Sequence, residues 1–469
     1  MKSTNKNFLY NILYQLFIFV IPLITTPYVS RVLGVNNIGV YSYTYSIINY
    51  FMLCSMLGIN NYGSREIAKN SKKLEDKSRT FWSIYILQLL CTFIMIIIFF
   101  VFYSVFDYKY KNILLIQTIF LLSCAFDINW YFFGSEKFKI TISRNIIIKL
   151  LSLILIFSFV KGKNDLWIYT LILSGSTLIS QIYLWFYLKR EIIFTKVRLK
   201  DILKHLKGSL ILFIPVIAYS IYRIMDKTMI GAISDTIQLG NYESAEKIIN
   251  IPISIISALG TVMLPHMSKT DDSKFNEKII STFELCFFIL FPMFFGLTVI
   301  ADDFSTLFFG KGFSLVSNII KMLLITTIFS GITNVIRNNY LIPKCLESIY
   351  VKSTIYGAIV NLCLNLIFIP KFGAYGACIG TIGAELLVMI YQIVKTKNAI
   401  NYKIIIKKII PFFIKSLIMA IIIYLIGMLF TKNIKLKLIV QILMAVIIYL
   451  GLNNKYVIYD FFGYKAKKH

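Results

Sequence analysis

Long runs without a single charged residue dominate this sequence. Residues 91–106 read CTFIMIIIFFVFYSVF, and residues 417–430 read LIMAIIIYLIGMLF. A helix needs roughly 20 apolar residues to cross a bilayer, and backbone groups in lipid must be hydrogen-bonded within the segment. A closed β-barrel would instead show short segments of alternating hydrophobicity. Such runs therefore favour transmembrane α-helices. The whole chain fits this interpretation, because only 15% of its residues are charged.

The distribution of the apolar runs predicts an all-α polytopic membrane protein with about 14 transmembrane helices. The predicted spans are 8–30, 38–60, 80–105, 113–133, 140–160, 166–188, 209–231, 242–264, 280–301, 316–340, 352–369, 374–394, 410–430 and 437–452. Lys and Arg are concentrated in the alternate loops 65–79, 189–207 and 395–408 and in the tail 453–469. Because cytoplasmic loops of membrane proteins are enriched in Lys and Arg, we expect both termini to be cytoplasmic.

The formal net charge of +27 is explained by these basic loops, so nucleic-acid binding is not expected. The seven Cys form no C-x-x-C pair and lie mostly in apolar stretches, which indicates small buried side chains rather than metal ligands or disulfides. No nucleotide-binding G-x-x-x-x-G-K-[ST] loop occurs either. We expect no metal, no cofactor and no catalytic residue. We interpret the N-terminal apolar stretch as a retained first span rather than a cleaved signal peptide.

The sequence contains an internal repeat. Residues 39–49 read GVYSYTYSIIN, and residues 240–250 read GNYESAEKIIN. Further matches follow in order at nearly the same spacing, such as Leu57–Gly58 with Leu259–Gly260. The spacing covers an even number of predicted spans, so the two copies have the same orientation, which is the pattern of a parallel repeat. We predict two six-helix lobes, 1–200 and 201–400, followed by two additional transmembrane helices and a basic tail in 401–469.

Several stretches together resemble a known family. They are NFLYNILYQLFIFVIPLITTPYVSRVLGVNNIGVYSYTYSIINYF (7–51), LGINNYGSREIAKN (57–70), DINWYFFGSEKFKITISRNIIIKL (127–150) and GAIVNLCLNLIFIPKFGAYGACIGTIGAELL (357–387). The chain is similar to the Wzx-type polysaccharide flippases for O-antigen and capsule, within the multidrug/oligosaccharidyl-lipid/polysaccharide exporter superfamily. Family members are described with 12 to 14 spans in two lobes, which agrees with the predicted spans.

The resemblance implies an activity. Such proteins move a polyprenyl-pyrophosphate-linked oligosaccharide from the inner to the outer leaflet of the bacterial cytoplasmic membrane, for surface polysaccharide biosynthesis. It also implies ion-gradient-driven alternating access, with H⁺ or Na⁺ as the coupling ion. Membrane lipids, polysaccharide polymerase and the chain-length machinery are the implied partners. We expect a monomer, because the two lobes already form the pathway.

Ionisable residues at membrane depth are costly and usually face a cavity, and here the basic ones outnumber the acidic ones. Guanidinium and ammonium groups bind phosphate and carboxylate, so a basic cavity suits a pyrophosphate or an acidic sugar. The predicted substrate contacts are Arg31, Arg223, Lys247, Arg337, Arg144 and Lys149. Each has a simpler alternative: a long basic chain reaching the membrane surface, a lipid headgroup contact, or neutralisation by an acidic residue on the same helix.

The acidic and aromatic residues at membrane depth suggest two more roles. The candidates for ion coupling are Asp127, Asp226, Glu243 and Glu385. Trp130 and Tyr131 are candidates for stacking on sugar rings, with an interfacial aromatic belt as the simpler alternative.

Two other functions are alternatives to the flippase. A multidrug exporter of the same superfamily would transport small cations, which a mostly basic cavity repels. A membrane-embedded polysaccharide polymerase or transferase needs convergent reactive groups. The three His, His205, His266 and His469, all fall in predicted loops or the tail.

Overall fold

A computed structural model describes residues 2–70, 73–105, 109–189, 191–268, 272–430 and 433–454. Side chains are described from residue 21 onward, apart from a few positions in α8, α9 and the start of α10. Within these residues the regular structure is helical throughout, which confirms the predicted all-α class. The tail from residue 455 onward and His469 lie outside the described residues.

The chain forms two compact units, Met1–Gly240 and Asn241–His469. The helices of unit 1 are α1 Lys2–Met56, α2 Ile59–Lys69, α3 Leu74–Val105, α4 Lys111–Phe126, α5 Asn129–Gly134, α6 Phe138–Phe159, α7 Leu166–Leu188 and α8 Leu199–Ile233. The helix α9, Thr236–Ser268, begins in unit 1 and continues into unit 2. The lobe boundaries predicted from the repeat, at residues 200 and 400, stay predictions.

Unit 2 contains the remaining helices. They are α10 Asp272–Phe309, α11 Val316–Ile336, α12 Glu347–Phe372, α13 Ala374–Thr396, α14 Tyr402–Leu429 and α15 Ile434–Leu452. A π-helical turn, Arg337–Leu341, extends α11. In this unit α12 packs along α13, and α10 packs against both α11 and α14.

Every predicted span falls in helical structure, although 38–60 and 113–133 are each divided between two helices. Ten helical segments of the described residues are long and apolar enough to cross a membrane. The other four predicted spans fall in α1, α8 and α9, and their crossing stays a prediction. Predicted spans 8–30 and 38–60 lie on either side of Gly34, where φ of 77° and ψ of 168° interrupt α1. Glycine tolerates this backbone conformation because it has no Cβ atom.

The exposed faces of the apolar helices are themselves apolar. Ile97 and Ile98 on α3 and Leu443 on α15 are about half exposed within the chain. Lipid satisfies such surfaces, since a bilayer interior is as apolar as a leucine side chain. The polar side chains are instead drawn inward, and some of them form a site in unit 1.

The first glycines of the two repeat copies meet in unit 1. A Cβ atom at Gly39 would lie 1.7 Å from the Thr236 carbonyl oxygen. A Cβ atom at Gly240 would lie 2.0 Å from the Val35 carbonyl oxygen. The contact is reciprocal, because each glycine approaches the residue that lies one helical turn before the other glycine.

Candidate functional site

The predicted span 113–133 is interrupted in the structure. Helix α4 ends at Phe126 and α5 begins at Asn129, while Asp127 has an extended backbone with φ −75° and ψ 102°. Non-helical backbone at membrane depth is tolerated only where protein buries it or where it lines a cavity. The predicted span 113–133 is therefore made of two helices rather than one. The polar sequence Asp127-Ile128-Asn129 inside an apolar run marks the interruption.

Side chains from neighbouring helices satisfy the carbonyl groups at this break. The Gln88 side-chain amide on α3 donates to the carbonyl oxygens of Cys124 and Asp127, at 2.6 and 2.8 Å. The indole N–H of Trp185 on α7 donates to the Phe126 carbonyl oxygen at 3.0 Å. These bonds replace the helical hydrogen bonds that the break removes, so the packing of unit 1 stabilises the interruption.

Asp127 and Arg144 are connected through Asn129. One carboxylate oxygen of Asp127, Oδ1, accepts from the Asn129 backbone N–H at 2.9 Å and from its side-chain amide at 2.7 Å. The side-chain oxygen of Asn129 accepts in turn from Nη2 of Arg144 at 3.0 Å. The amide thus lies between opposite charges and orients both of them.

Arg144 is almost fully buried, with 3% of its surface exposed. Its Nη1 atom donates to the Ser180 carbonyl oxygen at 3.0 Å and to Oε1 of Gln181 at 3.2 Å. Its Nη2 atom also donates to Oδ1 of Asn145 at 2.7 Å. A buried guanidinium is costly unless its donors are satisfied, and this set of acceptors ties the α4–α5 break to α6 and α7.

A polar cavity of about 520 Å³ opens beside this network. Asp127, Arg144 and Lys149 contribute its charged groups, and amides and hydroxyls make up most of the remaining lining. A second cavity of about 390 Å³ adjoins it. The lining residues that the two share are Asn60, Asn61, Asp127, Thr177 and Gln181. Such a lining offers many hydrogen-bond donors and acceptors to a polar ligand.

The other predicted residues of unit 1 lie away from these two cavities. Arg31 is exposed on α1, and Arg223 is half-buried on α8. Asp226, one turn further along α8, is 4% exposed. None of the three belongs to the lining of either cavity.

Unit 2 holds the remaining predicted charges. The Nζ atom of Lys247 lies 3.7 Å from Oε1 of Glu243, on one face of α9. The guanidinium of Arg337 lies over the ring of Tyr350, 4.6 Å from its centroid, within the π-helical turn. Glu385 is half-buried on α13. Because Arg31 and Arg223 belong to unit 1, convergence of the predicted basic cluster on one cavity stays a prediction.

Trp130 and Tyr131 lie inside the aromatic core of unit 1. Both side chains are 0% exposed. The Trp130 ring stacks on Phe81 at 5.3 Å, and Tyr131 meets Phe81 edge-on at 5.4 Å. The Trp130 indole N–H donates to Oε1 of Gln88 and to the Asp127 carbonyl oxygen. The contacts described for these rings are with protein groups, and neither ring lines the two cavities, so sugar stacking stays an untested prediction.

Reasoning from charges alone missed the amide side chains of the site. Gln88, Asn129, Asn145 and Gln181 were not singled out, although each is an amide within an apolar run. An amide in such a run is itself a signal, because it needs hydrogen-bond partners in the membrane. Among the described residues, no three His, Cys, Asp or Glu side chains come together in a way that could hold a metal ion.

Comparison with known proteins places this chain in a family. A family model described as "Polysaccharide biosynthesis protein" matches residues 4–271, more than half of the chain. This chain belongs to the polysaccharide biosynthesis protein family. The resemblance to polysaccharide flippases is thereby confirmed.

Individual relatives of this polysaccharide biosynthesis protein agree with the assignment. A protein of Shigella dysenteriae named as an O-antigen transporter is 23% identical over 387 residues, covering 81% of this chain and 96% of the relative. A protein of Haloferax volcanii named as the low-salt glycan biosynthesis flippase Agl15 is 26% identical over 164 residues, 34% of each chain.

Solved structures share the fold. A structure titled "Lipid II flippase MurJ, inward closed conformation" matches with a TM-score of 0.78 at 19% identity, covering 97% of this chain and 99% of the other. A multidrug resistance MATE family transporter of the MOP superfamily matches with a TM-score of 0.62 at 13% identity, covering 82% and 94%. The chain of this polysaccharide biosynthesis protein is therefore a multi-pass membrane protein of this transporter fold.

Proposed function

We propose that this protein is a flippase for lipid-linked oligosaccharides. The observation that supports this proposal best is the polar cavity of unit 1, which is lined by amides, hydroxyls and charged groups beside a broken helix. Sugars present many hydroxyl groups, and a lining of this kind can exchange hydrogen bonds with them at little desolvation cost. The names of the relatives, an O-antigen transporter and a glycan flippase, support the same class of cargo.

The finer steps of the proposal follow from the family resemblance. The cargo is a polyprenyl-pyrophosphate-linked repeat unit, which passes from the inner to the outer leaflet of the cytoplasmic membrane. Both termini are cytoplasmic, and the lobes 1–200 and 201–400 alternate access to the two sides. The basic residues Arg31, Arg223, Lys247 and Arg337 bind the pyrophosphate during passage, because basic side chains neutralise phosphate charge.

The energy source in this proposal is an ion gradient. H⁺ or Na⁺ binds at an acidic residue, and the candidates are Asp127, Asp226, Glu243 and Glu385. Asp226 is buried, and Asp127 is half-buried in the lining of the cavity. Protonation or cation binding at a buried carboxylate removes an unfavourable charge, so it can be coupled to a change of conformation.

The test is depletion of the protein in its native cell, followed by extraction of the lipid-linked oligosaccharides and determination of their leaflet. Completed repeat units accumulating on the cytoplasmic leaflet are the expected result. Unchanged lipid-linked pools, together with a new sensitivity to cationic dyes, would instead support a drug exporter. Loss of polymer with normally translocated repeat units would support a polymerase.

A further inference from the structure

Lys149 on α6 is the charged group lining the unit 1 cavity for which the described part of the chain supplies no partner. It is half-buried and belongs to the lining of the larger cavity. Its backbone carbonyl accepts from the Ser152 hydroxyl at 2.8 Å, but its ammonium group has no hydrogen bond or ion pair among the described residues. An ammonium group in a membrane-spanning helix is costly without a counter-charge.

The neighbouring charges do not supply that counter-charge. Asp127 is bound to Asn129 through Oδ1, and Asn129 connects it to Arg144. Arg144 directs its Nη atoms at protein acceptors on Ser180, Gln181, Asn129 and Asn145. Taken at their formal charges, Asp127 and Arg144 cancel, and Lys149 leaves the cavity with an excess of about one positive charge.

The rest of the lining indicates what carries the opposite charge. Asn145 and Ser152, on the same helix as Lys149, belong to the lining, as do Asn60, Asn61 and Ser176. Amides and hydroxyls both donate and accept hydrogen bonds, as the ring hydroxyls of a sugar do. A volume of about 520 Å³ lies within the range of about 300–1,000 Å³ that is usual for small-ligand sites.

We propose that this cavity binds an acidic sugar residue of the transported oligosaccharide, with Lys149 pairing to the carboxylate of that sugar. The inference rests on the proposed flippase function and names a substrate class for it. A single carboxylate matches one unsatisfied ammonium. A pyrophosphate carries more negative charge than the cavity can neutralise, and it would also approach Asp127.

The test uses purified full-length protein in detergent and two probes that differ only at one carbon. 4-Nitrophenyl β-D-glucuronide carries a carboxylate where 4-nitrophenyl β-D-glucoside carries a hydroxymethyl group. Isothermal titration gives the affinity for each. We expect the wild type to bind the glucuronide about 10-fold more tightly, because a charge-assisted hydrogen bond typically contributes that much.

Three Lys149 variants and one control variant accompany the wild type. Lys149→Gln and Lys149→Met should each bind the two probes equally, and Lys149→Arg should keep the preference. The matched control is Lys139→Gln, which removes the same charge from an exposed position on the same helix. It should behave as the wild type does. Two neutral variants keep the test decisive if one of them does not fold.

Several outcomes would overturn the inference. They are equal affinity of the wild type for both probes, binding of neither probe, and a preference that survives in both neutral variants. Lys149-dependent binding of inorganic pyrophosphate that is tighter than that of the glucuronide would also overturn it, and would reassign the cavity to the phosphate linkage.

Failure of this inference can be told apart from failure of the proposed function. In cells depleted of the protein, restoration of export by the wild-type gene tests the flippase, whatever the probes show. Composition analysis of the accumulated repeat unit should then reveal a uronic acid. Restored export of a glycan without any acidic sugar would reject the acidic-sugar site and leave the flippase in place.

Discussion

Arg144 shows how a single buried charge can organise a membrane site. Its guanidinium draws acceptors from α5, α6 and α7 into one network, so its geometry depends on residues far apart in the sequence. A lysine could not replace it, because an ammonium group cannot present a planar fork of donors. The residue therefore has a positioning role, holding Asn129 and, through it, Asp127.

Replacing Arg144 should destabilise the protein strongly. In Arg144→Met the acceptors on Asn129, Gln181 and Ser180 lose their donor, and Asp127 loses its nearest counter-charge. We expect the free energy of unfolding to fall by about 3–5 kcal/mol. Thermal unfolding in detergent measures the effect, with Arg79→Met, at an exposed position of α3, as the control. Equal stability of the two variants would show that the network contributes little.

His205 provides a titratable contact outside the predicted spans. Its Nδ1 atom lies 2.8 Å from the Tyr62 hydroxyl, which joins α2 to the start of α8. Burial lowers the pKa of His205 below its ordinary value of about 6.5, and Lys204 acts in the same direction, whereas Glu66 and Asp201 oppose the shift. The neutral imidazole is thus the form that the folded protein favours.

The stability of the protein should consequently fall in mild acid. The unfolded chain takes up a proton on His205 before the folded chain does. The stabilising contribution is therefore complete above pH of about 6.5 and is lost as the pH falls through the lower folded pKa. Thermal unfolding between pH 8 and 5 should show this decline in the wild type and a smaller one in His205→Gln.

The variant Tyr62→Phe distinguishes the effect of His205 burial from the effect of the hydrogen bond between Tyr62 and His205. It removes the hydroxyl but keeps the ring beside the imidazole, so it should lower stability across the pH range while the decline in acid persists. A pH dependence that is identical in the wild type and His205→Gln would refute this account of His205.

At the scale of elements, two backbone features depend on specific residues: the break between α4 and α5, and the crossing of α1 and α9. The α4–α5 break survives because Gln88 and Trp185 hydrogen-bond its carbonyl oxygens. The crossing of α1 and α9 within unit 1 brings backbones together at Gly39 and Gly240, where any side chain would collide with a carbonyl group. Small residues at helix crossings let backbones approach closely in membrane proteins.

Alanine at either glycine should disturb that crossing. Because the added Cβ atom would lie far inside contact distance of a carbonyl oxygen, we expect Gly39→Ala and Gly240→Ala each to cost about 1–3 kcal/mol. Thermal unfolding and the yield of monodisperse protein measure the loss. Gly175→Ala on α7 is the control, since no heavy atom lies within 4 Å of its added Cβ atom. It should be neutral or stabilising by up to about 1 kcal/mol. Similar losses at all three positions would contradict the close crossing.

At the scale of the whole molecule, the chain has two compact units and helices that are apolar enough to span a membrane. The charged residues that are predicted to lie at membrane depth are distributed over both units. Since such groups are rare in lipid-facing segments, their number fits a transport pathway better than a structural scaffold.

The proposed ion coupling belongs to this scale. Glycan export should stop when an uncoupler collapses the proton gradient or when a sodium ionophore collapses the sodium gradient, and only one of the two should have the full effect. Asn or Gln variants at Asp127, Asp226, Glu243 and Glu385 should then identify the coupling residue, as the variant that loses gradient dependence. Measuring surface glycan after each treatment gives the answer, and export that ignores both treatments would refute the coupling.

Much of the fold followed from the sequence because lipid leaves the backbone few choices. An apolar run such as 91–106 must satisfy its own hydrogen bonds, so helix α3 could be expected from those residues alone. The all-α class and ten of the predicted spans were readable in this way, and the repeat was visible as matching residues such as Gly39 and Gly240. Asp127, Arg144 and Lys149 were also recognisable as candidates, because charge at membrane depth is costly and therefore informative.

Only the tertiary structure decided how those candidates are used. It paired Arg144 with amides distant in the sequence, and it enclosed Trp130 and Tyr131 in an aromatic core. It also placed the Lys149 ammonium beside a polar cavity, where no other described residue pairs with it. Hydrogen bonds and ring contacts between distant residues depend on how helices pack, and packing is a property of the whole chain. The sequence by itself determined which segments are helical and where charge is costly, and the packing of the helices determined which charges remain available to a ligand.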